Sequence, residues 1–486
     1  MNWNINEIIQ RFQSKIKSCR VLVIGDVMLD QYYFGEMKRI SPEAPVPVVN
    51  LKEATQTLGG AANVANNLVH LGCKVSLAGV VGRDKGRDDL VEMLSFKGID
   101  VSGIQTDDRS TTIKTRIISG NQQVLRMDQE ENVELSDAGV HKFEEWFVHL
   151  LSIEKYDAII ISDYGKGFCQ FELCQSVLFT AKRKEIPVII DPKGDNWDKY
   201  RGATIVTPNL KELSDLRGKD IPNSNQAIHN YGKELRRKYD LDYLLITRSE
   251  QGMSLVGENQ INDFPTLAKE VFDVSGAGDT VVSTLGAMMG MGIPVQDAVK
   301  ISNIAAGIVV GKLGTYAVKD VELISKLEFL NDRRKINKIF SANNFQALLD
   351  GWRNNGERII FTNGCFDLLH IGHATYLKNA KELGDKLIIG LNSDQSVKRL
   401  KGINRPVNHE QDRAKMLSFF EFVDAVIIFD EDTPLRLISE IRPDVLVKGG
   451  DYRAEEVVGK EYAKKVKILS FVDGYSTTSL IERITN

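Results

Sequence analysis

Residues 273–280 read DVSGAGDT, and a small-residue stretch, VVSTLGAMMG, follows them. A glycine-rich turn that opens a helix leaves backbone N–H groups unpaired at the positive end of the helix dipole. Phosphates and developing anions bind at such ends. Asp279 falls in the first turn, placed to take a proton from a substrate hydroxyl while Gly276, Ala277 and Gly278 cradle a transferring phosphoryl group. The plainer reading is a glycine turn with Asp279 as an N-terminal helix charge. TLGGAANVANNLVHLG (57–72) sets Gly59, Gly60 and Asn63 at another loop-to-helix start, where missing side chains let backbone approach a small polyol. VIGDVMLD (23–30) puts Asp26 and Asp30 just past a strand, where carboxylates can grip hydroxyls. TPNLKE (207–212) spaces Asn209 and Glu212 three apart, able to hold a hydrated Mg²⁺ on ATP phosphates. An Asp or Asn in a loop is as often a turn or cap residue. Lys193, in DPKG, follows a strand and faces either a phosphate or solvent.

A second group occupies TNGCFDLLHIGHATYL (362–377), where His370 and His373 lie three apart at the head of a helix. Residues at that spacing share one face. Zinc would need a third protein ligand and usually a nearby Glu, and none is placed here. Two imidazoles at a helix start can instead donate to nucleotide phosphates and stabilise charge building at the α-phosphorus. Packed or exposed histidines are the bland alternative. Cys365 reads as a small apolar residue after a strand, not as a nucleophile. Asn392 and Asp394 end the next strand in GLNSD, and VKRLKGINRPV (397–407) offers Lys398, Lys401 and Arg405 to a phosphorylated substrate. GYSTTSLIERI (474–484) starts a helix with Ser476, Thr477 and Thr478, which either bind β- and γ-phosphates or cap the helix.

These residues need a scaffold of strand ends. VLVIGD (21–26), DAIIISDYG (157–165), PVIIDPKG (187–194), ATIVTPN (203–209) and YLLITRS (243–249) read as buried parallel strands with functional loops at their carboxyl ends. The class is α/β. Residues 31–51 and 111–128 alternate and look like an antiparallel excursion, either a β-lid over an open site or an edge hairpin. Pro42, Pro45 and Pro47 would keep its exposed strand from pairing onward. The boundaries predicted are a large domain at 1–330, a helical linker at 331–356 and a smaller βα series at 357–486. Length allows two such domains. With 62 Lys+Arg against 66 Asp+Glu the net charge is -4, which advertises no nucleic-acid partner. The basic cluster DRRKINK (332–338) falls on a solvated linker helix. No apolar run approaches a membrane span, and the first twenty residues lack a signal-peptide pattern and read as an amphipathic helix. Five cysteines without CxxC spacing point to free thiols in a reducing cytoplasm.

In this order and combination, GG-x-x-N and D-x-x-G-A-G-D make residues 20–315 resemble the ribokinase-like (PfkB) carbohydrate kinases. The resemblance implies an αβα domain with a small β-lid, Asp279 as catalytic base and Gly276, Ala277 and Gly278 as the anion hole. It implies nucleotide contacts from Asn209, Leu210, Lys211, Glu212, Thr247, Gly252 and Asn303, and sugar contacts from Asp30, Gly59, Gly60, Asn63 and Lys193. Mg²⁺ would enter with ATP near Asn209 and Glu212, with room for a monovalent cation. The H-x-G-H segment makes 357–486 resemble the cytidylyltransferase-like nucleotidyltransferases, a smaller Rossmann-like α/β fold. That implies catalysis by His370 and His373. Nucleotide contacts would come from Asn363, Gly364, Phe366, Asn392, Asp394, Ser476, Thr477 and Thr478, and substrate contacts from Asp367 and Lys401.

The full series, from VIGDVMLDQYYFG through GNQQVLRMDQEE and RPDVLVKGGDY to DGYSTTSLI, is similar to the bacterial bifunctional heptose 7-phosphate kinase and heptose 1-phosphate adenylyltransferase family. The resemblance implies a cytoplasmic enzyme acting on sugar phosphates and ATP, supplying ADP-heptose for the lipopolysaccharide core. It implies a homodimer through the kinase domain and no nucleic-acid or membrane partner. Spacing alone leaves open another sugar kinase fused to a CTP-dependent cytidylyltransferase.

Overall fold

The five apolar runs form the middle of one sheet in the computed structural model, which describes residues 5–120, 122–266, 272–312, 314–336, 338–340, 342–450 and 453–469. The chain divides into two compact units, Met1–Glu328 and Phe329–Asn486. The first holds a nine-stranded sheet. Its order is Ile261–Phe264, Met253–Val256, Tyr243–Thr247, Ile205–Val206, Val188–Asp191, Ala158–Ser162, Arg20–Gly25, Lys74–Val81 and Asp100–Thr106. All neighbours are parallel except Met253–Val256, which runs antiparallel to both of its own.

The central strands are apolar throughout because both faces are covered. Ile159 and Ile161 pack with Phe143, Phe147, Phe168 and Leu173. On the other face Ile160 meets the helix Ala277–Gly290 at Gly286, where a Cβ would come within 2.7 Å of Ile160 Cδ1. A side chain there would lift the helix off the sheet, and with it Asp279 at its start. The N-terminal helix Ile5–Lys15 is amphipathic as predicted and buries Ile5, Ile8, Ile9 and Phe12.

The excursion forms its own four-stranded sheet, ordered Pro47–Gly60, Val27–Ile40, Ile113–Ser119 and Gln122–Gln129. Each outer pair is an antiparallel hairpin, as expected, but the central pair is parallel. The first strand of each hairpin lies at the centre, and both run outward from the core, so their junction is parallel.

The second unit carries a six-stranded, wholly parallel sheet. Its order is Ile339–Phe340, Ala425–Phe429, Lys386–Asn392, Ile359–Gly364, Val445–Gly449 and Lys465–Leu469. Apolar clusters cover both faces, one around Leu377, Leu387 and Leu417, the other around Phe361, Ile388 and Ile438. The segment predicted as a linker does more than connect. Ile339–Phe340 is the edge strand of this sheet, and Phe345 and Leu349 of the helix Ala342–Asn354 are buried in its core. A two-residue strand is too short to show a period in sequence.

Candidate active sites

The helix Ala277–Gly290 begins at Gly276, whose φ of 76° suits glycine. Among the described residues, no atom lies within 4 Å of where a Gly278 Cβ would stand. Asp279 is buried, and both of its oxygens are held: Asn63 donates to Oδ2 at 2.5 Å and the Tyr164 hydroxyl to Oδ1 at 2.7 Å. Burial pushes its carboxyl above the usual range, the bonds from Tyr164 and Asn63 oppose that, and the Asp30 charge adds to it. Asn63, read as a sugar contact, thus sits against the base itself.

Asp30 lies at the foot of the lid, paired with Arg116 at 2.5 Å. Gly59 stands across the strand pair, and a Cβ there would come within 2.6 Å of Asp30 Oδ2. Gly60 has φ +57°, and its Cβ would strike the Asp26 carbonyl at 2.5 Å. The glycine pair is needed for these close approaches as well as for an open site. Asp26 does not face a sugar site. Its carboxylate accepts the backbone N–H groups of Tyr164, Lys166 and Phe168 at 2.8, 3.0 and 3.2 Å. It anchors the loop that carries Tyr164.

Asn209 and Glu212 form a reciprocal capping box at the start of the helix Leu210–Arg217, each side chain accepting from the other's backbone N–H at 2.9 Å. Asn209 Oδ1 and Glu212 Oε2 are thereby spent, which does not suit direct metal ligation. Glu212 Oε1 remains, 3.5 Å from Lys193 Nζ. Leu210 is half-buried and Lys211 exposed. Thr247 stands beside Asn209 through an isolated parallel bridge. Gly252, φ +85°, makes the tight turn after it; a Cβ there would lie 2.0 Å from the Phe264 carbonyl. Asn303 donates to the Pro265 carbonyl at 2.8 Å.

Sequence reasoning missed Tyr164, Arg116, Lys114 and the half-buried Asp191. Burial, Glu212 and Asp279 push the Asp191 carboxyl well up. Tyr164 tests the clamp on Asp279. Tyr164→Phe removes a hydrogen bond that favours the ionised base, so the protonated, inactive form persists to higher pH. Phosphorylation should fall about tenfold on the acid side of the kcat/KM profile and recover as the pH rises. A uniform loss at every pH would refute this role.

In the second unit, His370 precedes the helix Ile371–Lys381 and His373 lies in its first turn. Their rings stack at 3.9 Å, and Phe366 presents an edge contact to His373 at 5.3 Å. Burial, His370 and Lys401 push the His373 imidazole down to about 4, and burial lowers His370 also. Both are neutral at pH 7. Among the described residues no third ligand joins them as a metal cluster. Burial raises the Cys365 thiol, which keeps it protonated and suits a non-nucleophile. Asn363 and Gly364 end the central strand, with Phe366 just beyond at φ +44°. Lys448 Nζ donates to Asn363 Oδ1 at 2.5 Å.

Asp367 is not open to a substrate. It accepts from Arg405 Nε at 2.5 Å and from the Val407 and Asn408 N–H groups at 2.7 and 3.1 Å, fixing the basic loop. Asp394 opens the helix Asp394–Lys401 and pairs with Arg413 at 2.7 Å. Asn392 donates to Ser396 Oγ at 3.0 Å. Arg413, unnoticed in sequence, is buried and also bonds the Asn408 and Cys365 carbonyls at 3.0 and 2.5 Å, tying three loops around the histidines. Lys401 ends its helix near enough to His373 to lower it. Ser476, Thr477 and Thr478 lie outside the described residues.

Two sites with these features define a phosphotransferase joined to a nucleotidyltransferase. Residues 19–321 match the pfkB family carbohydrate kinase model and residues 361–483 the cytidylyltransferase-like model. The kinase fold recurs in solved structures. A putative ribokinase from Agrobacterium tumefaciens has a TM-score of 0.51 and 21% identity over 65% of this chain and 99% of that one. Arabidopsis thaliana ribokinase complexed with ribose and ATP has 0.51 and 18% over 64% and 99%. Escherichia coli phosphofructokinase-2 in complex with substrates and products has 0.54 and 18% over the same shares.

Similarity at full length is narrower. The bifunctional protein HldE of Methylobacillus flagellatus is 45% identical over 471 residues, 96% of each chain. That of Geobacter metallireducens is 46% identical over 476 residues, again 96% of each. The chain belongs to the bifunctional HldE family, carrying a carbohydrate kinase and a nucleotidyltransferase.

Proposed function

We propose that the chain catalyses two separated steps in making ADP-D-glycero-β-D-manno-heptose. In the first, the O1 hydroxyl of D-glycero-β-D-manno-heptose 7-phosphate attacks the γ-phosphorus of Mg²⁺-ATP. Asp279 takes the O1 proton, the Gly276–Gly278 turn holds the transferring phosphoryl group, and ADP leaves with the 1,7-bisphosphate formed. The observation carrying this step is the buried Asp279 at the helix start, its two oxygens held by Tyr164 and Asn63 while burial raises its affinity for a proton. Asp30, Gly59 and Gly60 border the sugar. Thr247, Gly252 and Asn303 border the nucleotide, Lys193 meets a phosphate, and Glu212 Oε1 would accept from the water shell of Mg²⁺.

In the second step an oxygen of D-glycero-β-D-manno-heptose 1-phosphate attacks the α-phosphorus of ATP and pyrophosphate leaves. No protein nucleophile is needed. His370 and His373 donate to the phosphates, Asn363, Gly364 and Phe366 border the nucleotide, and Lys401 meets the sugar phosphate. Because the first product carries two phosphates and the second substrate one, a phosphatase must act between them. ATP is favoured over CTP by the full-length likeness to the HldE proteins.

The chain works in the cytoplasm as a homodimer through the lid. Its cysteines are free, and Met37, Ile40, Val46 and Leu51 are exposed on or beside the lid strands. No helix among the described residues is long and apolar enough to cross a membrane. Phosphorus NMR with Mg²⁺-ATP and each heptose phosphate in turn tests both reactions. Formation of the 1,7-bisphosphate, and separately of ADP-heptose with pyrophosphate, is expected. Turnover only of other sugars, or only of CTP, would overturn the assignment.

A further inference from the structure

Lys448 is an odd place for an ammonium. It sits on the strand Val445–Gly449, which runs beside Ile359–Gly364, the strand that feeds the H-x-G-H loop. Several half-buried lysines elsewhere in the chain face carboxylates: Lys199 faces Asp163, Lys166 faces Glu130, Lys381 faces Asp424 and Lys386 faces Glu357. Lys448 faces a neutral amide, Asn363 Oδ1 at 2.5 Å, and no carboxylate among the described residues pairs with it. The titratable group opposite it in the adjoining loop is the Cys365 thiol. On its other side the strand Lys465–Leu469 sets Ile468 beside it. The strand Ile359–Gly364 leads into the loop that ends at His370 and His373, at the head of a helix whose body packs on the opposite face of the sheet, against Thr362. A half-buried cation without a counter-charge costs several kcal/mol unless an anion supplies one.

The site proposed above handles three phosphates of a nucleotide and one of a sugar. We infer that Lys448 is a phosphate-binding residue of the transferase site: its ammonium completes an anion pocket with Asn363 and the His370–His373 pair. Asn363 fixes the side chain along the strand edge, leaving the other ammonium protons for phosphate oxygens. This rests on the nucleotidyltransferase reading of the second unit. It gives a role to a residue of the RPDVLVKGGDY segment to which the sequence analysis assigned none. A second consequence follows from burial, which pushes the Lys448 amine down to about 8. The charge is present below that pH and lost above it, so transferase kcat/KM should fall as the pH rises through about 8.

The test uses the full chain, with Lys448→Gln and Lys448→Arg beside the wild type. Two measurements are made: calorimetric binding of Mg²⁺-pyrophosphate, which requires no sugar turnover, and steady-state adenylyl transfer to heptose 1-phosphate. Kinase activity serves as a control on the preparation. Lys448→Gln should weaken pyrophosphate binding or raise the KM for the sugar phosphate at least about tenfold, the scale of one charge-assisted bond. The first outcome assigns Lys448 to the nucleotide phosphates, the second to the acceptor phosphate. Lys448→Arg, charged at every accessible pH, should keep more function than Gln and lose the basic limb near 8. If Gln leaves both quantities unchanged, or the Arg variant keeps the same basic limb, the inference is wrong. If the wild type binds pyrophosphate through Lys448 yet leaves heptose 1-phosphate unreacted, the heptose reading fails and the phosphate site stands.

Discussion

Asp279→Asn should lower sugar phosphorylation by about 10³-fold or more while leaving adenylyl transfer within about twofold of wild type. The substitution keeps the shape of the side chain and removes only its capacity to accept a proton. Folding should survive it, because the carboxylate is buried and burial already disfavours its charge. The amide can still accept from Tyr164 or Asn63, the two donors that hold the carboxylate now. Asn63 can also turn its own amide to present oxygen. The residual rate comes from positioning and from the helix start, which the substitution does not touch. Separate assays of ADP and pyrophosphate release check both halves in one preparation. Retention of a tenth of the kinase activity would remove Asp279 as the base. Loss of both activities in a folded chain would show that the sites are not independent.

His373→Ala should do the converse, lowering adenylyl transfer by about 10²–10³-fold in kcat and sparing the kinase. The imidazole is pushed down to about 4, so it acts as a neutral donor at pH 7. Its Nδ1 is buried with no hydrogen-bond partner among the described residues. A buried polar atom left unmade is costly, and a phosphate oxygen would satisfy it. Two rings stacked at 3.9 Å cannot both carry charge cheaply, which is a further reason for neutrality. The effect should therefore appear in kcat more than in the KM for ATP, and the transferase should show no acid limb between pH 5 and 7 from this residue. His373→Asn, which keeps a donor, should recover part of the loss. An unchanged kcat in His373→Ala would leave the histidine with only its packing against Phe366.

What sequence could reveal about these sites follows chain distance. The turn at Gly276, Asp279 in the first turn of its helix and the two histidines at the head of theirs are legible because a few adjacent residues define them. Tyr164 reaches Asp279 across 115 positions, and Lys448 reaches Asn363 across 85. A helix start meeting a strand-end loop creates the first pair and neighbouring parallel strands the second, and no local pattern announces either. Asp26, Asp367 and the Asn209–Glu212 pair show a different limit. A carboxylate that binds a ligand and one that collects backbone N–H groups are the same residue type in the same loops. Only the hydrogen-bond partners separate them. The α/β class and the five central strands needed no such information, since apolar runs of about five residues with polar ends sufficed; the order of the strands in the sheet came only from the structure. The lid's parallel junction and the Ile339–Phe340 edge strand depend on how segments meet, which a linear pattern does not encode.

The strand Val27–Ile40 passes without a break from fully buried Leu29 to exposed Met37 and Ile40. Asp30 lies on it one step beyond the core, and its partner strand ends at Gly59 and Gly60. The base of the ribbon is thus also the proposed floor of the sugar site. Whatever touches the far end, whether a second copy of the chain or a closing substrate, bends the same two strands that set the distance between Asp30 and Gly59. Grip on the sugar and contact at the tip are in this way one mechanical variable, and an assembly that stiffens the tip also sets the aperture at the base.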